Sequence, residues 1–229
     1  MTQRKFLSSS ELDQAFAKWI TDTLSAAIVA GEEPVILFSG GSTPAGLLKL
    51  LAKSTLTWTR VKVGLVDDRM VPLSSEFSNG RMIQTLLIDA LPESNRPRFM
   101  NLVTHPYNAS NNLAHAIKSA QEYGTPCITI LGMGADGHFA SLFPGDDAST
   151  RALKEIVTEA VLYTQAPSNP RFRISHSWAY LKKSKHLMLH FTGVEKMHLL
   201  EEHEQREPKL PIDYLVEDTQ VSPVLYWAP

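Results

Sequence analysis

The stretch Pro34–Leu51, PVILFSGGSTPAGLLKLL, reads as a strand, a glycine turn and a helix in immediate succession. Pro34-Val35-Ile36-Leu37-Phe38 is a short, unbroken apolar run, the pattern of a strand covered on both faces. Gly40-Gly41-Ser42-Thr43 then turns the chain. Pro44 falls where the first residue of a helix tolerates a missing N–H, ahead of Leu47, Leu48, Leu50 and Leu51. A buried strand that runs straight into a helix is the unit from which parallel sheets are assembled.

The same alternation extends in both directions. Upstream, Leu12, Ala15, Phe16, Trp19, Ile20, Leu24, Ala27 and Ile28 recur every three or four positions, one face of a helix packed on a core. Ser10 is the expected N-cap, with Asp13 three residues on, and Gly31 ends the helix. Downstream, Val61–Val66 reads as a strand ending in Asp67-Asp68-Arg69. A loop to Ser78 leads into a helix carrying Met82, Ile83, Leu86 and Leu87. A further helix, Leu113–Tyr123, precedes a strand at Cys127–Leu131. His186–Phe191, Glu195–His203 and Val224–Trp227 read as strand, helix and strand. The pattern predicts an α/β fold, a single domain over residues 1–229, with a largely parallel central sheet, Rossmann-like in topology, flanked by helices on both faces.

Composition narrows the function. The 229 residues are 43% hydrophobic and 20% charged, with a net charge of −2, so the chain lacks the basic footprint of a nucleic-acid binder. No apolar run approaches the roughly 20 residues that cross a bilayer. The basic start MTQRKFLSSS leads into polar residues and not into the apolar core of a signal peptide. These features predict a cytoplasmic protein without membrane or nucleic-acid partners, a monomer or small homo-oligomer. One cysteine, Cys127, in an apolar strand, provides neither a disulfide framework nor a cysteine-rich zinc site. His198 and His203 lie five apart, off a shared helix face, so no metal site is expected.

In an open parallel sheet, ligands bind beyond the carboxyl ends of the strands. Three segments rich in glycine and polar residues follow strand ends here: FSGGSTP (Phe38–Pro44), DDRMVP (Asp67–Pro72) and LGMGADGHFASLFPG (Leu131–Gly145). Their positions let them converge on one crevice. Gly40 and Gly41 free backbone N–H groups for an anion, and Thr43 is placed to cap a helix whose N-terminus favours negative charge. A tight turn with a capping threonine accounts for the segment equally well. Gly132, Gly134 and Gly137 spell the dinucleotide pattern GxGxxG, and Glu159 falls near the distance for a ribose contact. Against that reading, Asp136 would sit beside the pyrophosphate, and Pro144-Gly145 interrupts the required helix. His138 can act as a general base because imidazole titrates near neutral pH. Arg69 can bind a phosphate or a developing oxyanion in two-pronged fashion.

Taken together, the three segments, with Ser78-Asn79, RFRIS (Arg171–Ser175) and Gly193-Val194-Glu195-Lys196, resemble the family of glucosamine-6-phosphate isomerases and 6-phosphogluconolactonases. The resemblance implies a sugar-phosphate isomerase-like fold and a phosphorylated sugar as ligand. Within the family a deaminase would follow Asp-Gly-His with Ile-Ala-Phe-Asn-Glu-Pro. This chain reads Phe139-Ala140-Ser141-Leu142-Phe143-Pro144 and lacks that acid, which points to the lactonase branch. Asp68 stands where the family usually carries Glu. The resemblance therefore implies hydrolysis of 6-phospho-D-glucono-1,5-lactone in the oxidative pentose phosphate pathway, without cofactor or metal. His138 would activate water, Asp67 would orient His138 or the sugar hydroxyls, and Arg69 would serve the oxyanion or the phosphate. Gly40, Gly41, Ser42, Thr43, Asp136, Gly137, Arg173 and Lys196 would bind the substrate, with the phosphate at the first four, Arg173 and Lys196. The rivals are a deaminase or isomerase on the same fold, and a phosphosugar-sensing module. The second would need a DNA-binding segment for which the chain has neither length nor charge.

Overall fold

The computed structural model describes residues 1–154 and 157–229. The amino-terminal half runs β1 (Thr2–Lys5), α1 (Ser9–Val29), β2 (Val35–Phe38), α2 (Pro44–Leu51), β3 (Lys62–Leu65), β4 (Asp67–Arg69), α3 (Asn79–Ile83), β5 (Arg98–Phe99) and α4 (Ala109–Tyr123). The remainder runs β6 (Ile128–Leu131), α5 (Asp147–Lys154), β7 (Val161–Gln165), β8 (Phe172–His176), α6 (Trp178–Leu181), β9 (His186–Thr192), α7 (Val194–Glu201), α8 (Pro211–Glu217) and β10 (Val224–Ala228).

Seven strands form the central sheet in the order β1-β10-β9-β6-β2-β3-β5, and every pairing in it is parallel. Helices cover both faces, which is why β2 and β6 are buried along their whole length. On one face, Phe16 of α1 stacks on Tyr226 at 4.1 Å and meets the edge of His190 at 5.3 Å. On the other, Gly64 of β3 leaves room for Tyr123 of α4, whose hydroxyl donates to the Met100 carbonyl at 2.6 Å.

One expected helix start differs from that observed, and one expected helix changes type along its length. α1 begins earlier than its apolar stripe, and Ser8, not Ser10, caps it by accepting the Glu11 N–H at 3.2 Å. The stretch through Leu86 and Leu87 starts as α3 and continues as a single π-helical turn, Gln84–Ile88. The larger difference lies after β3. Asp67-Asp68-Arg69 does not prolong that strand but forms β4, the edge of a separate antiparallel sheet ordered β4-β8-β7. Val66 is the joint. Its N–H donates to Phe38 of the central sheet at 2.9 Å, and its carbonyl accepts from His176 of the small sheet at 3.0 Å. The small sheet thereby stands over the carboxyl ends of the parallel strands.

Gly64 tests this packing. A Cβ there would lie 2.4 Å from the Tyr123 hydroxyl and 2.8 Å from Leu37 Cδ2. Gly64→Ala should lower stability by about 1–3 kcal/mol in urea titration, as overpacking of a close-packed core does. An unchanged midpoint would show that α4 does not pack as described.

Candidate active site

The three polar segments meet as expected and enclose a cavity of about 220 Å³. Side chains tie them together. Ser39 accepts the Gly132 N–H at 3.1 Å, joining the first segment to the third. Ser141 donates to the Asp67 carboxylate at 2.5 Å, joining the third to the second. Asn79 donates to the Asp67 carbonyl at 3.0 Å and presses so closely on Gly40 that a Cβ there would lie 1.9 Å from its amide oxygen. Gly40 is therefore glycine for space, whereas Gly41, at φ +94°, is glycine for its left-handed backbone.

Gly40, Gly41, Ser42, Thr43, Asp67, Arg69, His138 and Lys196 all line the cavity. Thr43 does so without capping α2: its backbone is already helical and its hydroxyl makes no cap bond. The Ala45 N–H turns back to the Ser42 carbonyl at 3.3 Å, whereas the N–H groups of Gly40 to Thr43 donate to no acceptor among the described residues and are left for another. Lys196, from α7, is pushed below its ordinary pKa by burial, and the Asp136 charge partly opposes this.

His138 is held by Asp136 and not by Asp67, which corrects one of the two roles read for Asp67. Asp136 Oδ1 lies 2.5 Å from His138 Nδ1 and also accepts the His138 N–H at 3.2 Å. Burial raises the Asp136 pKa, but its hydrogen bonds and attraction to His138 win, and it falls below the ordinary carboxylate range. A carboxylate only accepts, so this contact assigns the proton to Nδ1 and leaves Nε2 as an acceptor. The ring is about 31% exposed and packs on Phe143 at 4.6 Å between centroids. Gly134 supplies its berth, since a Cβ there would lie 2.2 Å from Nδ1. Ala140 adopts φ +50°, a turn that sends Phe139 into the core and Ser141 toward Asp67.

Three expected ligand residues do not line the cavity. Asp136 acts through His138. Gly137 is a left-handed turn packed on Leu210, where a Cβ would lie 2.8 Å from Cδ1. Arg173 is buried beside the cavity, opposite Arg69 in the β4–β8 register and 5.9 Å from the Phe143 ring. Burial first, then the Arg69 charge, lower its pKa to about 10. Its Nε and Nη1 have no hydrogen-bond partner among the described residues. Arg69 itself donates to the Phe77 carbonyl at 2.7 Å.

Asp68, fully buried, accepts from the backbone N–H groups of Arg69, Asn79 and Gly80 at 2.7, 2.7 and 3.0 Å and from Ser78 Oγ at 3.2 Å. It anchors the start of α3 and does not reach the cavity. Three polar wall residues escaped the sequence reading as ligands: Ser39 and Asn79, quoted only with their segments, and His190. The available signal for His190 was a titratable residue at the carboxyl end of a parallel strand. Gly132, Gly134 and Gly137 form a loop, with no helix before Asp147, so the dinucleotide pattern lacks its helix.

Known proteins share this fold and much of this sequence. The family model for glucosamine-6-phosphate isomerases/6-phosphogluconolactonase matches residues 7–227. The chain is 32% identical over 228 residues to the 6-phosphogluconolactonase of Rhizobium meliloti, covering 98% of this chain and 97% of that one. It is 30% identical to that of Caulobacter vibrioides, covering 97% and 95%. The crystal structure of a 6-phosphogluconolactonase from Shewanella baltica superposes with a TM-score of 0.90 at 26% identity, covering 100% of this chain and 98% of that one. An α/β sheet whose strand ends gather a histidine-carboxylate pair and an amide-rich loop, matched over nearly its whole length, makes this chain a member of the glucosamine-6-phosphate isomerase/6-phosphogluconolactonase family.

Proposed function

We propose that residues 1–229 act as one unit that hydrolyses 6-phospho-D-glucono-1,5-lactone to 6-phospho-D-gluconate. The observation that carries the reading is the pairing, in one small cavity, of a carboxylate-oriented imidazole with a loop whose Gly40 to Thr43 backbone donors are unclaimed among the described residues. At about 220 Å³ the cavity falls below the roughly 300–1,000 Å³ typical of drug-sized sites, which suits one phosphosugar and not a dinucleotide. Relatives that carry the lactonase name at 30% identity or more support the same substrate.

A δ-lactone is a reactive ester, so activating water suffices. His138 Nε2 takes a proton as water attacks the ring carbonyl, and Asp136 stabilises the imidazolium that forms. The proton then passes to the ring oxygen as the C–O bond breaks. Arg69 and the amides of the Gly132–Gly137 loop are the candidate donors to the oxyanion. Asp67, locked by Ser141, faces the cavity as an acceptor for sugar hydroxyls. The Gly40–Thr43 amides and Lys196 hold the phosphate. Arg173, buried beside the cavity without lining it, adds positive charge near the phosphate; its Nε and Nη1 have no partner among the described residues, so an anion that reached them would relieve a buried cost. Anchoring the phosphate fixes the carbonyl against His138, so remote binding energy lowers the barrier.

The deaminase reading finds no support in the loop after His138, where Phe139–Phe143 is buried and carries no acid.

Lactone generated in place, with its spontaneous breakdown subtracted, provides the assay. Wild type should accelerate hydrolysis, and His138→Ala should lower kcat by about 10²–10⁴ with little change in KM. No acceleration by wild type, or ammonia release from glucosamine 6-phosphate, would overturn the reading. Gly134→Ala should displace the imidazole and cost at least ~100-fold in kcat, as misplaced catalytic groups do, while circular dichroism stays native. Full activity in that variant would contradict the geometry of the His138 berth.

A further inference from the structure

At the floor of the cavity lies a second histidine that the proposed chemistry leaves idle. His190, near the carboxyl end of β9, lines the same cavity as the Gly40–Thr43 loop. It is about 2% exposed, and its Nε2 is buried without a hydrogen-bond partner among the described residues. Asp13 of α1 approaches that nitrogen, with Oδ1 at 3.7 Å. The same carboxylate lies against the first turn of α2, the helix that the loop opens. A Cβ on Gly46 would stand 2.0 Å from Asp13 Oδ2, so the turn can rest there only as glycine.

Other groups around His190 do not supply its missing partner. α1 also contributes the Phe16 ring, edge-on at 5.3 Å. From β10, Tyr226 sits beside it in register, its hydroxyl buried and likewise unpartnered among the described residues. Lys196 of α7 and His138 line other parts of the same cavity wall.

This arrangement sets a problem in charge. Burial raises Asp13 to about 6 and lowers His190 to about 4, so near neutral pH the empty site holds a carboxylate beside an uncharged imidazole. A phosphate dianion at the Gly40–Thr43 loop would then meet a like charge beneath the helix turn that is to bind it. A proton on Nε2 resolves the conflict, because it places a cation between Asp13, which lies outside the cavity, and the ligand within it.

We infer that His190, backed by Asp13, is a further phosphate-positioning residue, and that the pair takes up a proton when the phosphorylated ligand binds. The inference rests on the proposed seat of the phosphate. It extends that site from fixed cations and amides to a charge that appears only with the anion, and it makes affinity depend on pH.

Calorimetric titration of the full chain with 6-phosphogluconate at pH 7.0, in two buffers of different ionisation enthalpy, tests it. Wild type should take up on the order of half a proton per ligand bound. A phosphate monoester, with its second pKa near 6, would by itself release about 0.1 instead. Unphosphorylated gluconate should show no uptake. His190→Asn should abolish uptake and weaken binding about twofold at pH 7.0, the gain that half-protonation of the bound form represents there. Asp13→Asn should also abolish uptake, yet tighten binding at pH 8.5, where the wild-type carboxylate opposes the ligand. A purely structural pair would lower the melting temperature in both variants and leave uptake unchanged, and that result overturns the inference. Binding of 6-phosphogluconate with equal heats in both buffers overturns it while sparing the lactonase reading. Should inorganic phosphate bind with proton uptake and 6-phosphogluconate fail to bind, the substrate reading falls and the pair stands. Binding of neither removes both.

Discussion

Where the chain leaves the parallel sheet, Asp68 carries a carboxylate into a place with no solvent, and four donors converge on it. Burial pushes this group up to about 6, so the donors work against a real desolvation cost. Three of them are backbone N–H groups, two from the first turn of α3. Fixing that turn fixes Asn79, which in turn fixes Gly40 and the carbonyl of Asp67. One buried charge thus sets the spacing between the amide loop and the small sheet, and through them the width of the cavity.

On that frame the two histidines of the cavity are placed for different work. His138 sits on a glycine-bounded loop, about a third open to solvent, with a carboxylate that selects its tautomer. His190 sits in the sheet itself, sealed from water, with its carboxylate at 3.7 Å, beyond hydrogen-bonding distance. The first geometry suits a proton moved in every turnover. The second suits a proton held while the ligand is bound. Neither environment could be exchanged for the other, because burial opposes the charged form and exposure weakens the coupling to the ligand.

Much of this was legible in the residues. Short, mostly apolar runs such as Val35–Phe38 and Ile128–Leu131, too brief for helices, read as strands covered on both sides, and the parallel sheet and its helices followed from them. The convergence of FSGGSTP, DDRMVP and the Asp-Gly-His loop followed from the rule that such sheets bind at their carboxyl ends. The three-stranded sheet did not follow. β4 is three residues long and continuous in sequence with β3, and only the partner strand β8, more than 100 residues on, pulls it away. The same long-range pairing buries Arg173 and turns it beside Arg69. The His138–Asp136 contact was missed for a local reason: residues two apart in a loop meet only because Gly137 adopts a positive φ. Caps were misjudged where the first helical turn preceded the apolar stripe, as at Ser8, or where the turn into α2 was already helical, as at Thr43.

The claim on which the account turns is that one cavity holds the phosphate at the amide loop and the reacting carbon at His138. A crystal structure of the chain with 6-phosphogluconate tests it most directly. The account predicts the phosphate within hydrogen-bond distance of the Gly40–Thr43 amides and Lys196, and the ligand's C1 carboxylate beside His138 Nε2. A phosphate seated elsewhere, or a C1 remote from His138 with the phosphate in place, would contradict it.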